Sequence, residues 1–183
     1  IPGPTIEANV GHELVIGITN ELDVGTTVHW HGLRLPARAD GSSATQDPIA
    51  PGARYEARFV ARDAGTFWYH PHIEADVQIE RGLYGALIVH EPAPPSVDAD
   101  RMFVLDDVKL SGDGRLSEDT DALDLMLGRQ GNVVVVNGKP RASLAITPGA
   151  VERWRFVNVA NGRFFKLRLE GQRFRVVAWD GGA

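Results

Sequence analysis

The stretch VHWHGLR (Val28–Arg34) places two histidines two positions apart in a run that otherwise has the composition of a β-strand. Residues i and i+2 of a strand project from the same face, so His29 and His31 are expected to point together, about 7 Å apart. Trp30 then points to the opposite face. The chain has only six histidines, and this pair could be metal ligands, a catalytic pair or two solvated side chains.

A second histidine pair repeats the spacing in WYHPHIE (Trp68–Glu74), where His70 and His72 stand on either side of Pro71. Proline cannot donate to a β-ladder, which places this pair at the end or edge of a strand. If the two strands are neighbours, four imidazoles converge. Imidazole is the commonest protein metal ligand, and an all-nitrogen cluster suits Cu, Zn, Fe or Ni. The separation of about 7 Å favours several metal ions over one, with a lone zinc site as an alternative.

Composition excludes several other kinds of site. The chain of 183 residues has a net charge of −5 and no basic stripe with interleaved aromatic residues, so a nucleic-acid binder is not expected. It has no cysteine, which excludes disulfides, thiolate metal sites and a cysteine nucleophile. No apolar run approaches the length of a membrane span, and neither a signal peptide nor a G-x-S-x-G, P-loop or G-x-G-x-x-G motif is present.

Short segments rich in Val, Ile, Thr and aromatic residues dominate the first half of the chain. Each is bounded by Gly, Pro, Asn or Asp, and none keeps a helical period over three turns, which predicts an all-β sandwich or barrel. The predicted strands are HELVIGITN (His12–Asn20), TTVHWHGLRL (Thr26–Leu35), RYEARFVA (Arg54–Ala61), GTFWYH (Gly65–His70) and YGALIVH (Tyr84–His90).

The proline-rich stretch HEPAPPSVDAD (His90–Asp100) interrupts this pattern and is typical of a stiff, exposed connector. It predicts a first domain over residues 1–90, a linker over 91–100 and a second, partial domain over 101–183. The two halves share a loose strand–turn pattern, which favours two related β-sandwiches in tandem. Both ends of the chain look cut, because it begins inside a fold and stops just after a strand.

The second half is expected to be β-structure again. Its predicted strands include FFKLRLEG (Phe164–Gly171) and FRVVAWDGG (Phe174–Gly182). Only SEDTDALDLMLGRQG (Ser117–Gly131) has the composition of a short helix or an irregular excursion.

The quoted motifs carry a family resemblance. TTVHWHGLRLP and AGTFWYHPH, followed by GLYGALIV, resemble the first two copper-binding motifs of the multicopper oxidases, which include laccases, ascorbate oxidase, bilirubin oxidase and bacterial cuprous oxidases. VNGKP, GAVERWRFVNVANGRFFKLRLEG and VVAWDGG resemble the second cupredoxin domain of the three-domain members. The resemblance covers essentially the whole chain, and it implies tandem cupredoxin-like Greek-key β-sandwiches of which the second is incomplete.

The resemblance also implies a role for each motif residue in a trinuclear copper cluster. His29 matches the ligand of the type 2 copper, and His31 matches a ligand of one type 3 copper. His70 and His72 match further ligands of the type 3 coppers. Asp40, in RADGSS, matches a carboxylate that hydrogen-bonds near the type 2 copper and helps to deliver protons. The alternative for Asp40 is an ordinary acid of an Asp-Gly turn.

The function implied by the resemblance is that of the N-terminal portion of a laccase-like bacterial enzyme. Such an enzyme couples one-electron oxidation of a phenol-like substrate or Cu(I) to the four-electron reduction of dioxygen to water. In the family, the other cluster histidines and the type 1 copper ligands, a cysteine included, lie in a C-terminal cupredoxin domain. This chain has no cysteine and no third H-x-H, so we expect it to be inactive without that domain.

Two further expectations complete the resemblance. A periplasmic or secreted location follows from the family alone. The alternative function is a copper-free cupredoxin scaffold or interaction protein of the same fold, and the four retained histidines argue against it.

Five other residues near the motifs have plainer interpretations. Trp30, Trp68 and Tyr69 flank the paired histidines and are expected to pack in the core. His12 and His90 stand alone in the sequence and are expected at the surface or at strand ends.

Overall fold

The computed structural model describes residues 1–117 and 119–180, and its regular structure is mostly β-strand, which confirms the all-β prediction. None of the helices in this described part has the length and apolar character of a transmembrane segment.

The chain forms two compact units. The first unit comprises Gly3–Pro95 with a C-terminal stretch that starts at Val177, and the second comprises Ser96–Val176 with Ile1–Pro2. The division after Pro95 falls inside the stretch expected to be a linker, residues 91–100.

Two sheets build the first unit. In one sheet the strand order is β1-β6-β5-β3, and in the other β2 pairs with β4. β1 runs parallel to β6, and the remaining pairs are antiparallel. The strands are β1 (Ile6–Asn9), β2 (Glu13–Thr19), β3 (His29–His31), β4 (Arg54–Val60), β5 (Gly65–His70) and β6 (Gly85–His90).

Both sheets contribute side chains to one hydrophobic core. Trp30 of β3, Phe67 of β5 and Leu87 of β6 pack there with Leu14 of β2 and Phe59 of β4. Alternation along β2 and β4 sends every second side chain inward, as expected for sheets that bury one face. This sandwich holds β3 and β5 rigidly, which matters because these two strands carry the paired histidines.

Local structure around the first histidine motif differs from the prediction. The strand expected over Thr26–Leu35 is limited to His29–His31, because Gly32 adopts a φ of +87° and turns the chain out of the ladder. A 3₁₀ turn follows at Ala37–Ala39. A short helix, α1 (Ala75–Glu80), was not predicted, since six residues are too few to show a helical period.

A three-stranded sheet forms the second unit. β7 (Ala99–Val108) is central, with β8 (Val133–Val136) antiparallel on one side and β9 (Glu152–Asn158) parallel on the other. A helix, α2 (Ala122–Leu127), lies within the stretch predicted to hold one. It begins at a capping box, in which the Asp121 side chain accepts from the backbone N–H groups of the first turn.

The strands predicted over Phe164–Gly171 and Phe174–Gly182 are wrong for the residues that the structure describes, since no strand forms there. The last two residues of the second stretch lie outside the described part. Alternating apolar residues favour a strand only where a neighbouring strand can accept their backbone hydrogen bonds. Here Phe164 and Trp179 are 95% and 78% exposed, so their side chains face solvent.

Candidate metal centre

The two histidine motifs lie side by side because β3 and β5 are antiparallel neighbours. In their register His29 is opposite His70, and His31 is opposite Trp68. The condition for convergence of the paired histidines is therefore met. The four side chains, called the histidine cluster below, are His29, His31, His70 and His72.

His29 lies at the centre of the cluster. Its ring stacks on His72 with centroids 4.0 Å apart, and it meets His70 and His31 edge-on at 5.2 and 5.6 Å. The His70 centroid is in turn 5.5 Å from that of His31 and 5.4 Å from that of His72. The structure thus brings together all four histidines that the sequence singled out.

Backbone carbonyls fix the protonation of two of these rings. His29 Nδ1 lies 3.0 Å from the carbonyl oxygen of Asp40, and His70 Nδ1 lies 2.9 Å from that of Pro71. A carbonyl oxygen only accepts, so each Nδ1 must carry the proton and donate it. In the neutral ring Nε2 is then bare, which is the state a metal ligand needs.

The spacing of ligand atoms tests whether the cluster fits a metal. His31 Nδ1 and His70 Nε2 are 3.3 Å apart. Two nitrogens bound tetrahedrally to one metal at about 2.0–2.1 Å are about 3.3 Å apart, so this separation fits shared ligation. Between neutral rings the same contact is a hydrogen bond that His31 donates, because His70 Nε2 is bare, so ligation through His31 Nδ1 would require its proton to move to Nε2.

A tighter group within the cluster comprises His29, His70 and His72, whose ligand nitrogens all lie within 4.8 Å of one another. His72 follows the end of β5, and its backbone N–H donates to Thr27 Oγ1 at 2.9 Å. Thr27 is almost fully buried, so this hydroxyl anchors a residue outside the ladder. Sequence reasoning missed Thr27, although it directly precedes the first motif.

Burial keeps three of the rings neutral. It lowers the pKa of His70 to about 4, and the other cluster rings lower it further against the opposing effect of the bond to Pro71. Burial also lowers the pKa of His31 and of His72, with repulsion from His29 as the next cause. These rings are therefore ready to bind a cation at neutral pH without first losing a proton.

Asp40 reaches the cluster through both its backbone and its side chain. Its carbonyl holds His29 Nδ1, and its Oδ1 lies 2.9 Å from the same nitrogen. The ring N–H points to the carbonyl oxygen, so the buried Oδ1 is left without a hydrogen bond. A buried carboxylate oxygen with free acceptor capacity can accept one further hydrogen bond, for example from water.

The aromatic residues of the motifs divide between the two faces of the sheet. Trp30 is buried in the core against Phe59, as expected. Trp68 instead stacks on His70, with ring centroids 4.1 Å apart, and lies 5.0 Å from the His31 ring. The expectation of core packing is thus wrong for Trp68, because strand alternation places it opposite His31, on the cluster's face.

The two remaining histidines lie away from the cluster. His12 is exposed in the turn before β2. His90 ends β6 and contacts Glu7 of β1, with Nε2 2.8 Å from the carboxylate. Both therefore have the surface or strand-end positions expected from the sequence.

Two protein-family models match the chain, and both are described as multicopper oxidase. One covers residues 1–94 and includes the whole histidine cluster, and the other covers residues 106–183.

Individual proteins show the same similarity. The multicopper oxidase MmcO of Mycobacterium tuberculosis is 32% identical over 99% of this chain and 42% of its own length. Laccase-1 of Botryotinia fuckeliana is 34% identical over 98% of this chain and 33% of its own length. The crystal structure of a multi-copper oxidase from Pseudomonas thermotolerans superposes with a TM-score of 0.89 at 34% identity, covering 93% of this chain and 42% of that one. The cupredoxin-like fold is thereby confirmed, and the chain spans less than half the length of these relatives.

Proposed function

The chain belongs to the multicopper oxidase family, and from that premise we propose that it provides one part of a copper centre for dioxygen reduction. The intact protein would couple one-electron oxidation of a phenol-like substrate or Cu(I) to the four-electron reduction of dioxygen to water. The observation that carries the proposal is the convergence of four imidazoles beside the sheet pair formed by β3 and β5.

Each histidine has a proposed ligand role. His29 would bind a type 2 copper through Nε2, since its Nδ1 is engaged by the Asp40 carbonyl. His31, His70 and His72 would bind type 3 coppers. The approach of His31 Nδ1 to His70 Nε2 supports a shared environment for these two residues.

Copper held by these nitrogens supplies reversible one-electron chemistry and electrons for dioxygen. The chain's own residues would bind the metal, fix the ring orientation and hold a proton. Neutral imidazoles bind the cation without adding negative charge, and the Asp40 and Pro71 carbonyls keep two rings in the ligand tautomer. Reduction of dioxygen to water consumes four protons as well as four electrons. Asp40 Oδ1, buried beside His29, is the proposed atom for holding one of those protons before transfer.

The remaining parts of the centre would come from sequence that this chain does not contain. The 183 residues have no cysteine, so we propose that a type 1 copper and the other cluster ligands belong to a C-terminal cupredoxin domain. On this proposal the chain is inactive alone, and the reducing substrate is chosen elsewhere. A periplasmic or secreted location is the corresponding proposal for the whole protein.

Metal analysis and oxygen uptake test the proposal on the intact protein. After copper loading we expect bound copper in stoichiometric amount and substrate-dependent oxygen consumption. His29→Ala and His72→Ala should each abolish oxygen consumption while far-ultraviolet circular dichroism stays unchanged, and His12→Ala, at an exposed histidine, should retain it. A protein that binds no copper would be the copper-free scaffold instead, and unfolding of both cluster variants would indicate a structural role.

A further inference from the structure

The turn before Gly41 has an unusual set of hydrogen bonds. Four consecutive backbone carbonyls, at residues 37 to 40, each accept from a different side chain. The donors are Thr45 Oγ1 to Ala37 at 2.7 Å, Tyr55 Oη to Arg38 at 2.8 Å, Trp30 Nε1 to Ala39 at 3.0 Å and His29 Nδ1 to Asp40 at 3.0 Å.

Two of these donors tie the turn to strands of the first unit, and a third ties it to its own loop. Trp30 lies on β3 and is 1% exposed, so its indole N–H is fixed by the core. Tyr55 lies on β4, in the other sheet, and Thr45 lies in the loop that follows the turn. Carbonyls at the end of a helical turn lack partners within it. Here the Ala37 carbonyl also accepts from the Asp40 backbone N–H at 3.2 Å, and side chains are the partners of the carbonyls of residues 38 to 40, which restrains the turn.

Gly41 lets this turn lie directly on β3. Its φ is +68°, and a Cβ there would be 2.2 Å from the Val28 carbonyl oxygen and 2.9 Å from the His29 backbone nitrogen. No larger residue fits without pushing two backbones apart. The close approach is what allows the Asp40 carbonyl to reach the ring of the histidine on the neighbouring strand.

We propose that the segment Ala37–Gly41 is a positioning clamp for the His29 ring. It holds the proton on Nδ1 and turns the bare Nε2 toward the other cluster rings. Trp30, Thr45, Tyr55 and Gly41 are thus positioning residues that touch neither metal nor substrate. The proposal rests on the proposed function only in taking His29 to be a copper ligand. An imidazole without such a partner exchanges tautomers and rotates about its χ2 angle, which weakens a site that needs a fixed geometry.

Gly41→Ala tests the clamp, and Gly52→Ala is its matched control. Gly52 also has a left-handed φ, +73°, but a Cβ there would meet nothing within 4 Å. Both variants carry the same backbone strain, and only Gly41→Ala collides with β3. A second test is the double variant Tyr55→Phe with Thr45→Val, which removes two hydroxyl donors and adds no bulk.

The primary readout is the tautomer of His29 in the intact, metal-free protein, followed by NMR of ¹⁵N-labelled histidine side chains and assigned by the loss of its signals in His29→Ala. The wild type and Gly52→Ala should show the Nδ1–H form. Gly41→Ala should show a mixture of tautomers, and the double variant a smaller shift in the same direction. Copper affinity should fall roughly 10- to 100-fold in Gly41→Ala and only a few-fold in the double variant.

The outcomes separate this proposal from the function proposed above. If no variant binds copper but the tautomer follows the expected order, the clamp stands and the copper function fails. If Gly41→Ala does not fold, the double variant decides in its place. A wild-type His29 tautomer and unchanged copper affinity in the folded variants would overturn the clamp.

Discussion

In the first unit, the histidine cluster brings together four imidazole rings. In two of them, His29 and His70, Nδ1 donates to a backbone carbonyl, which leaves Nε2 bare in the neutral ring. In the second unit, the polar side chains of the sheet gather as opposite charges. Asp100 pairs with Arg155 at 2.8 Å and with Arg153, and Arg101 pairs with Glu152 at 2.9 Å.

A further pair shows the second arrangement in a buried setting. Asp107 of β7 is almost fully buried, and its Oδ2 accepts from Arg163 Nε and from the backbone N–H of Gly131, both at 2.6 Å. This carboxylate is compensated by groups of its own unit. The cluster of the first unit instead gathers imidazoles with no carboxylate among the described residues paired to His70 or His72, and such rings can turn their lone pairs to an added cation. We therefore interpret the compensated Asp107 carboxylate as structural and the convergence of four imidazoles as a binding site.

The largest expected effect is the loss of copper affinity when a cluster histidine is removed. In His70→Ala we expect copper affinity to fall by at least about 100-fold and oxygen consumption to be lost, because His70 contacts every other ring of the cluster. Equilibrium copper titration measures the affinity. His90→Ala is the control, since His90 lies at the end of β6 and its ring contacts the surface carboxylate of Glu7. Equal affinity in both variants would contradict a ligand role for His70.

Removing a compensated charge should lower the stability of the fold and leave copper affinity unchanged. Asp107→Ala removes the acceptor of Arg163 Nε and of the Gly131 N–H, while Arg163 Nη2 keeps its bond to the Gly131 carbonyl, and we expect a loss of about 2–3 kcal/mol in the free energy of unfolding. Urea denaturation measures it. The copper affinity of the folded fraction should stay unchanged, because Asp107 belongs to the second unit. Asp113→Ala, at an exposed turn acid, should leave the urea midpoint in place. A change in copper affinity would show that the two kinds of cluster are coupled.

The elements with a strong local signal were predictable from the sequence. β5 has the predicted bounds, Gly65–His70, because its alternating residues lie between Gly and Pro. The strand around the first motif was predicted too long, since the φ of +87° that ends it at Gly32 cannot be read from a glycine alone. The strands predicted over Phe164–Gly171 and Phe174–Gly182 did not form in the described residues, because pairing depends on a neighbouring edge that periodicity does not reveal.

The sequence predicted the histidine side chains of the candidate site but not the backbone groups that orient them. The His-x-His spacing identified all four cluster residues. Strand alternation places His29 and His31 on one face, whereas His72 lies beyond the end of β5 and is held by Thr27 Oγ1. The acceptors that orient the rings are the backbone carbonyls of Asp40 and Pro71. Every residue has a carbonyl, so these acceptors carry no sequence signal. Asp40 was expected to act through its carboxylate, and the hydrogen bond it makes to His29 comes from its main chain.

A smaller effect is expected on the pH dependence of the free energy of unfolding, through the buried His70. The pKa of His70 is lowered to about 4 chiefly by burial, while an unfolded histidine titrates near about 6.5. Between those values the unfolded chain binds the extra proton, so stability falls as pH decreases from about 6.5 and levels off below about 4. Between about pH 7.5 and pH 4.5 this loss should be about 2 kcal/mol in the metal-free protein.

The measurement compares urea denaturation of the metal-free wild type and His70→Ala at the two pH values. The wild type should lose more stability than the variant, by the amount attributed to His70. The lowered pKa values of His31 and His72 act in the same direction, so the variant should keep a weaker pH dependence of its own. An equal pH dependence in the two proteins would mean that His70 is not kept neutral by burial.

The smallest expected effect belongs to a half-buried ion pair of the second unit. Arg101 makes two hydrogen bonds to the Glu152 carboxylate, from Nε at 2.9 Å and Nη2 at 3.0 Å. Arg101→Lys keeps the charge but loses this paired geometry. We expect a small decrease in the thermal unfolding midpoint at low salt, which becomes smaller at about 1 M salt because screening weakens the ion pair. A decrease of the same size at high salt would mean that the guanidinium stabilises the sheet through packing along β7 and β9. The pairing of opposite charges would then explain less of this unit's stability than the comparison with the histidine cluster implies.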